Sequence, residues 1–362
     1  MDERKVRVAI VGCGNIAGPY AKDLQRYPHV ELVGVTDLEL PRAATLADEH
    51  GCRAYPSVEA LLADEAVDLV VNLTIHHAHY AVTTQFLEAG KHVYSEKPLA
   101  MRYDEARELV ELARQKGVRL GCSPFTWMGE AQQTAWKQIR EGRLGTVRLA
   151  YAEVNWGRIE SWHPAPGPFY QVGALWDVGV YPLTLLTTIF GPARRVWSYG
   201  KVLYPDRVTK QGTPFHVETP DFVVTVLELE SGVVVRLTTN FYVTTRSKQT
   251  GVEFHGDLGS LYLSSWQNFD AAVEFAEFNK PYEPIPLLEE APEGTPWGRG
   301  AAEMAAAMLE GRPHRATGEQ AAHVVEILSA AAESMRTSDP VPVSSSFTRP
   351  APMEWADMLV LR

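Results

Sequence analysis

The stretch VRVAIVGCGNIAG, residues 6–18, decides the fold of this chain. An apolar run typical of a buried parallel strand ends in the pattern GxGxxA, and a helical pattern follows. Such a turn directs free backbone N–H groups and the positive end of a helix at an anion. The stretch therefore predicts the pyrophosphate-binding turn of a βαβ unit. The residues expected at the dinucleotide are Gly12, Gly14, Asn15 and Ile16.

A carboxylate follows the second apolar run, residues 31–36, where a βαβ unit binds the adenosine ribose. This residue, Asp37, would accept hydrogen bonds from the ribose hydroxyls and repel a 2′-phosphate. We therefore expect NAD as the cofactor, while the nearby Arg42 leaves NADP open.

Composition limits the classes of function. The chain has 362 residues, 45% hydrophobic and 22% charged, which is enough for two globular domains. A net charge of -11 argues against nucleic acid as a partner. Three cysteines without metal-type spacing predict neither disulfides nor a metal site. No apolar run has the length of a signal or membrane segment, so we expect a soluble cytoplasmic protein with no membrane partner.

Two different patterns divide the chain. Up to residue 124, short β-branched runs alternate with helical segments, which predicts a doubly wound parallel sheet, an NAD(P)-binding Rossmann domain. Residues 125–362 carry long alternating strands, which predict an α/β domain for substrate binding and oligomerisation with a large open, mainly antiparallel sheet. Helices are expected at 173–190, 300–309 and 318–337, and the Pro-rich tail is expected to return to the first domain.

A lysine follows the apolar run at residues 92–94, in the segment Glu96-Lys97-Pro98. The carboxyl edge of a parallel sheet is where open α/β sheets bind ligands. An amine held there beside a nicotinamide ring would have a lowered pKa and could exchange a proton with a substrate hydroxyl. A surface lysine in a loop is the alternative interpretation of Lys97. We interpret Glu96 as its positioning partner.

A second group lies in the predicted helix 173–190. Asp177, Tyr181 and Thr184 follow helical spacing, so one face would carry a carboxylate, a phenol and a hydroxyl. An N-cap role for Asp177 and a core position for Tyr181 are the alternatives. Pro182 could bend this face.

Aromatic residues are dense around this helix. Their faces could pack on the C–H face of a sugar ring, so we expect a carbohydrate-sized pocket, with core packing of the second domain as the alternative. His163 is a further candidate for substrate binding or proton transfer. The aromatic residues are Trp156, Trp162, Phe169, Tyr170 and Trp176.

Three histidines, at positions 76, 77 and 79, follow the fourth apolar run. No carboxylate or cysteine spacing accompanies them, so a metal site is not expected. We expect them to line the cofactor cleft or to cap the following helix.

Four motifs together resemble the Gfo/Idh/MocA oxidoreductases, the family of glucose-fructose oxidoreductase and inositol dehydrogenase. They are Gly12-x-Gly14-x-x-Ala17, Thr74-x-x-x-x-His79, Ala89-Gly90-Lys91-His92-Val93 leading to Glu96-Lys97-Pro98, and Gly173-Ala174-Leu175-x-Asp177-x-Gly179-x-Tyr181. Membership implies cofactor contacts from Thr74, His76, His79, Glu96 and Lys97, and dimers or tetramers formed through the second sheet. It also implies that Lys97 helps a substrate hydroxyl lose its proton while hydride passes to nicotinamide C4.

The chain departs from the family pattern at three places. Ile75 and His76 replace a proline and an asparagine, Thr184 replaces an aspartate of inositol-type relatives, and Gln171-Val172-Gly173 replaces a glycine triplet. The first change alters the expected cofactor contacts, the second argues against inositol as the substrate, and the third predicts a differently shaped substrate loop.

The leading hypothesis is an NAD(P)-dependent dehydrogenase or reductase acting on a sugar, polyol or cyclitol. Lys97 and Tyr181 would handle the proton, with Asp177 as the positioning group. The substrate-binding residues would be Trp162, His163, Tyr170, Trp176 and Thr184. A dihydrodiol or carbonyl-compound oxidoreductase and a non-catalytic NAD-sensing regulator are the alternatives.

Overall fold

The computed structural model describes residues 4–358 and divides into two compact units. The first combines residues 4–125 with the later segment Gly294–Val325. The second combines Thr126–Glu293 with residues 326–358. None of the helices within residues 4–358 is long and apolar enough to cross a lipid bilayer.

The first unit is built on a six-stranded parallel sheet. Its elements up to the last strand are β1 (Val6–Val11), α1 (Ala17–Leu24), β2 (Val30–Thr36), α2 (Leu40–His50), β3 (Arg53–Ala54), α3 (Val58–Leu62), β4 (Leu69–Asn72), α4 (His79–Glu88), β5 (His92–Ser95), α5 (Tyr103–Lys116) and β6 (Leu120–Cys122). The strand order is β3-β2-β1-β4-β5-β6, all parallel. This is the doubly wound Rossmann arrangement, so the predicted fold class is confirmed for this unit.

The second unit is built on a nine-stranded sheet. The remaining elements of the chain are α6 (Glu130–Arg140), β7 (Val147–Asn155), α7 (Gly167–Val172), α8 (Ala174–Asp177), α9 (Val180–Phe190), β8 (Ala193–Lys201), β9 (Asp206–Val208), β10 (Pro214–His216), β11 (Phe222–Leu229), β12 (Val234–Asn240), β13 (Gly251–Gly256), β14 (Gly259–Leu263), β15 (Val273–Glu277), β16 (Glu283–Ile285), α10 (Arg299–Glu310), α11 (Gly318–Thr337), β17 (Val341–Pro342) and α12 (Glu354–Met358). The order is β16-β15-β14-β13-β7-β12-β11-β8-β17, and β9 and β10 form a separate hairpin. Only the β7–β12 neighbours in the large sheet are parallel, which confirms a mainly antiparallel sheet.

Local signals explain many element boundaries. Ser57 Oγ accepts the Ala60 N–H at 3.2 Å and caps the start of α3. Gly117, at φ 67°, ends α5 in the left-handed region. The central strand β1 is buried from Val8 to Val11, as expected for a parallel strand covered on both faces.

The segment Gly294–Val325 completes the first unit, although the change in sequence pattern predicts a single boundary after residue 124. Its helix α10 packs so closely on the sheet that a Cβ on Gly300 would lie 2.0 Å from the Tyr94 hydroxyl. Arg119 donates to carbonyl oxygens of Ala307 and Arg312, at 3.2 and 2.7 Å. The chain therefore returns to the parallel sheet because α10 covers apolar surface there.

The tail, as far as residue 358, belongs to the second unit, and its expected return to the first domain stays a prediction. β17 pairs with β8, and Glu326 accepts hydrogen bonds from the backbone N–H groups of Ser344 and Ser345. The Met353 N–H donates to Gln133 Oε1 at 3.0 Å. Edge pairing and these polar anchors hold the tail.

The predicted single helix over 173–190 is wrong, because two helices occupy this stretch. α8 ends at Asp177 and α9 begins at Val180. Gly179 packs so tightly that an added Cβ would lie 2.4 Å from the Leu175 carbonyl oxygen. Pro182 lies in the first turn of α9, where a backbone N–H has no partner within the helix, so the proline removes no hydrogen bond of α9.

Candidate functional site

The glycine turn after β1 is shaped for a ligand. Gly12 has φ +93°, and a Cβ there would lie 2.7 Å from the Leu73 carbonyl oxygen, so only glycine fits. Gly14 is exposed, and a Cβ there would meet no atom within 4 Å. No side chain caps the start of α1. The start of α1 therefore lies beside an exposed turn that could receive a phosphate.

Asp37 is fixed beside this turn at the end of β2. Its Oδ2 accepts the Cys13 N–H at 2.6 Å, and its Oδ1 accepts the Glu39 N–H at 2.7 Å. The remaining lone pairs can accept ribose hydroxyls. Burial and the Asp37 carboxylate raise the pKa of Cys13 to about 12, so this thiol stays protonated. Arg42 pairs with Glu39 at 3.1 Å.

The turn after β4 is held by buried polar groups. Asn72 Oδ1 accepts both the N–H and the hydroxyl of Thr74, at 3.2 and 2.7 Å. The His79 ring is 1% exposed, with Nδ1 2.7 Å from the Pro98 carbonyl oxygen and Nε2 3.0 Å from that of Thr74. Burial lowers its pKa. His79 therefore links the turns after β4 and β5, which is a positioning role, and His76 lies half-buried beside it with ring centroids 6.0 Å apart.

Glu96 anchors the segment that carries Lys97. Its buried Oε1 accepts the hydroxyls of Tyr20 and Ser123 at 2.5 and 2.9 Å, and its Oε2 accepts the Lys97 N–H at 3.2 Å. Burial raises the pKa of Tyr20 well above its usual value, so the phenol remains a donor. Lys97 is half-buried, and the peptide bond to Pro98 is cis. Glu96 is thus tied to the protein and positions its neighbour.

Four of the predicted cofactor residues follow adjacent strands. Asp37, Gly12, Thr74 and Lys97 come after β2, β1, β4 and β5, which are consecutive neighbours in the sheet. Strands lie about 4.8 Å apart, so the row spans about 14 Å at the carboxyl edge. The row crosses the β1–β4 switch point, where ligands of doubly wound sheets bind. A carboxylate, a glycine turn, a hydroxyl and an amine therefore follow one another along this edge.

In the second unit, Asp177 and Tyr181 lie in different helices. Asp177 is 3% exposed at the end of α8, and Tyr181 is half-buried in the first turn of α9, with its ring 5.0 Å from that of Trp266. Thr184 is buried, and its hydroxyl donates to the Val180 carbonyl oxygen at 2.7 Å. The predicted common face of one helix is therefore not formed between residues 177 and 181.

The aromatic residues separate into two groups. Trp162 is 44% exposed, and its ring lies near those of Trp156, His163 and Phe169, at 6.5, 5.5 and 6.0 Å. Tyr170, in contrast, is buried, and its hydroxyl donates to a glutamate. Trp176 is half-buried. Trp162, His163 and Phe169 thus form an accessible surface, to which the buried Tyr170 does not contribute.

Sequence reasoning missed several supporting residues. Asn72 was detectable as the one polar residue that ends an apolar strand. Tyr20 and Ser123 reach Glu96 from distant parts of the chain, and no local pattern reveals this. The Trp266 ring lies near the rings of Trp156 and Tyr181. The sequence around Trp266 contains no pattern that indicates these contacts. No group of three or more potential metal ligands is found among the described residues.

Comparison with known proteins agrees with this organisation. Residues 6–123 match the model of an oxidoreductase family with an NAD-binding Rossmann fold, and residues 132–262 match the GFO/IDH/MocA C-terminal domain. The chain is 30% identical over 261 residues to 1,5-anhydro-D-fructose reductase of Ensifer adhaerens, which covers 70% of this chain and 74% of that enzyme. It is 31% identical over 232 residues to trans-1,2-dihydrobenzene-1,2-diol dehydrogenase of Oryctolagus cuniculus, covering 62% and 66% of the two chains.

A solved structure of levoglucosan dehydrogenase, a complex with NADH and L-sorbose, superposes with a TM-score of 0.82 over 94% of this chain and 99% of that one. At 19% identity this likeness shows the fold. The resemblance drawn from the sequence motifs is confirmed. The chain belongs to the Gfo/Idh/MocA family of oxidoreductases, and its first domain is an NAD-binding Rossmann domain.

Proposed function

We propose that this oxidoreductase transfers hydride between the hydroxyl-bearing carbon of a sugar, polyol or cyclitol and nicotinamide C4. The observation that carries the proposal is the row of Asp37, Gly12, Thr74 and Lys97 along one sheet edge. The row offers groups for a ribose, a pyrophosphate and a reacting centre in succession. The similarity to a 1,5-anhydro-D-fructose reductase supports a sugar-like substrate. NAD, when bound, supplies the hydride acceptor.

The proton would be handled by Lys97 and Tyr181. Lys97 is half-buried, and Glu96 holds its backbone, which supports an amine close to the sheet edge that could exchange a proton with substrate. Tyr181 is half-buried against Trp266, which leaves part of the phenol accessible. Asp177 is nearly fully buried, which supports a positioning role rather than direct contact with substrate.

The accessible aromatic surface would bind the ring of the substrate. Trp162, His163 and Phe169 contact one another edge to face, with His163 and Phe169 centroids 4.8 Å apart. Aromatic faces suit the C–H face of a sugar ring, and nearby polar groups fix its hydroxyls. This assignment makes the loop 157–171 the main determinant of substrate choice.

The test is reduction of NAD or NADP with a panel of aldoses, polyols and cyclitols, using wild type, Lys97→Met and the control Lys116→Met. Lys116 is exposed on α5 and lies outside the site. We expect Lys97→Met to lower kcat by about 10²–10⁴-fold, because a positioned acid–base group contributes about that much. Its Kd for NADH should stay within about threefold of wild type. Unchanged turnover in Lys97→Met would refute the proton-handling role.

A second candidate is oxidation of a dihydrodiol or reduction of a carbonyl compound. It is favoured by the aromatic contacts of Trp266 with Tyr181 and Trp156, and by the similarity to a dihydrodiol dehydrogenase. Adding trans-dihydrodiols and aromatic carbonyl compounds to the panel separates the two candidates. A protein that binds NADH but turns over no compound of the panel would favour the sensing regulator instead.

We also propose that the protein forms homodimers or homotetramers through the nine-stranded sheet. Strand β8 exposes two large aromatic side chains on this sheet, Trp197 at 49% and Tyr199 at 55%. Exposed aromatic groups of this kind are enriched at protein interfaces. Light scattering should give two or four times the chain mass, and a monomer at micromolar concentration would contradict the proposal.

A further inference from the structure

A buried guanidinium binds both ends of the loop that carries the accessible aromatic surface. Arg207, in β9, has a fully buried side chain. Its Nη1 donates to Glu160 Oε1 at 2.8 Å and to the Tyr170 hydroxyl at 2.7 Å, and its Nη2 donates to Asp221. Its Nε donates to the Tyr204 carbonyl oxygen at 2.8 Å. One side chain thus joins three separate segments of the second unit.

The other polar groups of this cluster also have partners. The Tyr170 hydroxyl donates to Glu160 Oε2 at 2.5 Å and accepts the Ile159 N–H at 3.3 Å. The Asp221 carboxylate accepts the N–H of Leu203 at 2.6 Å. The network is therefore well satisfied, as a buried charged group requires.

The cluster holds the aromatic surface at both ends. Glu160 precedes Trp162 by two residues, and Tyr170 directly follows Phe169. The single guanidinium of Arg207 binds both Glu160 and Tyr170, so the loop between them is closed at its base. The same hairpin contributes Lys210, whose Nζ donates to the Trp162 carbonyl oxygen at 3.3 Å.

Stability alone does not account for such a cluster. Well-packed apolar residues in place of a buried ion cluster are often equally stable or more so, because burying charges carries a desolvation penalty. The rigid fork of an arginine instead fixes the directions of several acceptors at once. We propose that Arg207 is a positioning residue, which holds Trp162, His163 and Phe169 in the arrangement that binds the substrate ring. This inference rests on the proposed function.

The first experiment measures amide hydrogen exchange in the full-length protein, without substrate. Variants are Arg207→Met, Arg207→Lys and the milder Glu160→Gln, with Arg195→Met on the exposed face of β8 as the control. We expect exchange across residues 158–172 to rise at least tenfold in Arg207→Met and less in Glu160→Gln. Exchange in β4 and β5 of the first unit should not change. If Arg207→Met does not fold, Glu160→Gln, which keeps the shape of the side chain, decides. Unchanged exchange in the loop of a folded variant overturns the proposal.

The second experiment separates positioning from general damage. With a cyclic substrate from the panel, we expect KM to rise at least tenfold in Arg207→Met, while kcat stays within about threefold and the Kd for NADH is unchanged. Arg207→Lys should be intermediate, because an ammonium group lacks the fork that reaches several acceptors. A loosened loop with unchanged KM would overturn the inference. So would a rise in KM accompanied by an equally large fall in kcat and in affinity for NADH. A wild type without turnover would instead refute the proposed function, and the exchange experiment still tests the positioning of the loop.

Discussion

Two glycines of the turn after β1 should respond in opposite ways to the same added methyl group. In Gly12→Ala, an L residue must adopt φ +93°, which costs roughly 1–2 kcal/mol. The new Cβ would lie 2.7–2.9 Å from backbone atoms of Leu73 and Thr74. Displacing that turn weakens the Leu73 N–H bond to the Val11 carbonyl oxygen, for about 1 kcal/mol more. The total of about 2–3 kcal/mol corresponds to a fall in Tm of about 4–12 °C.

Gly14→Ala is the matched control. Its Cβ meets no protein atom within 4 Å, so the Tm should stay near that of wild type. The methyl group instead occupies the space through which the pyrophosphate approaches, and we expect at least about a tenfold rise in the Kd for NADH, about 1.4 kcal/mol.

Thermal unfolding and fluorescence titration with NADH measure the two effects separately. A Gly12→Ala protein as stable as wild type would refute the close-approach argument. A Gly14→Ala protein with wild-type affinity for NADH would show that this turn does not hold the cofactor.

Three other perturbations act on the first unit. Tyr20→Phe leaves the buried Glu96 carboxylate without one donor, so denaturant titration should show a loss of about 1–3 kcal/mol. Because burial and Asp37 raise the pKa of Cys13 to about 12, iodoacetamide at pH 8 should label it about 10²-fold more slowly than free cysteine, as followed by mass spectrometry. Burial lowers the pKa of His92, whose Nδ1 accepts a backbone N–H at 2.8 Å, so the unfolded chain binds a proton more readily. Neutral His92 therefore stabilises the folded protein above about pH 6.5, and this contribution is lost as the pH falls below that value. The His92→Asn variant should show a smaller difference in Tm between pH 7.5 and pH 5.5 than wild type.

Elements with local signals were predictable. The apolar run and glycine turn at residues 6–18 identify β1 and α1, because strand period and turn chemistry act within a few residues. Ser57 and Gly117 mark helix ends for the same reason. The carboxyl-edge positions of Asp37 and Lys97 follow from the parallel topology.

Features set by distant contacts were not predictable. The apolar stretch continues through Val178 and Gly179, so its periodicity does not reveal the break between α8 and α9. Tyr170 is of a residue type that often binds sugars. In the structure, however, its hydroxyl accepts a hydrogen bond from Arg207, which lies in the β9–β10 hairpin. The roles of the candidate catalytic residues stay predictions, because they depend on turnover.

The return of Gly294–Val325 to the parallel sheet has a consequence during synthesis. The surface of Tyr94 that α10 covers stays uncovered until about 200 further residues have been made, roughly 10–40 s at ordinary rates of translation. The nucleotide unit is therefore finished after most of its neighbour has left the ribosome, even though its glycine turn emerges first. A fragment cut after Phe125 would keep that turn but expose apolar surface where α10 belongs, and should aggregate instead of serving as a minimal cofactor-binding module.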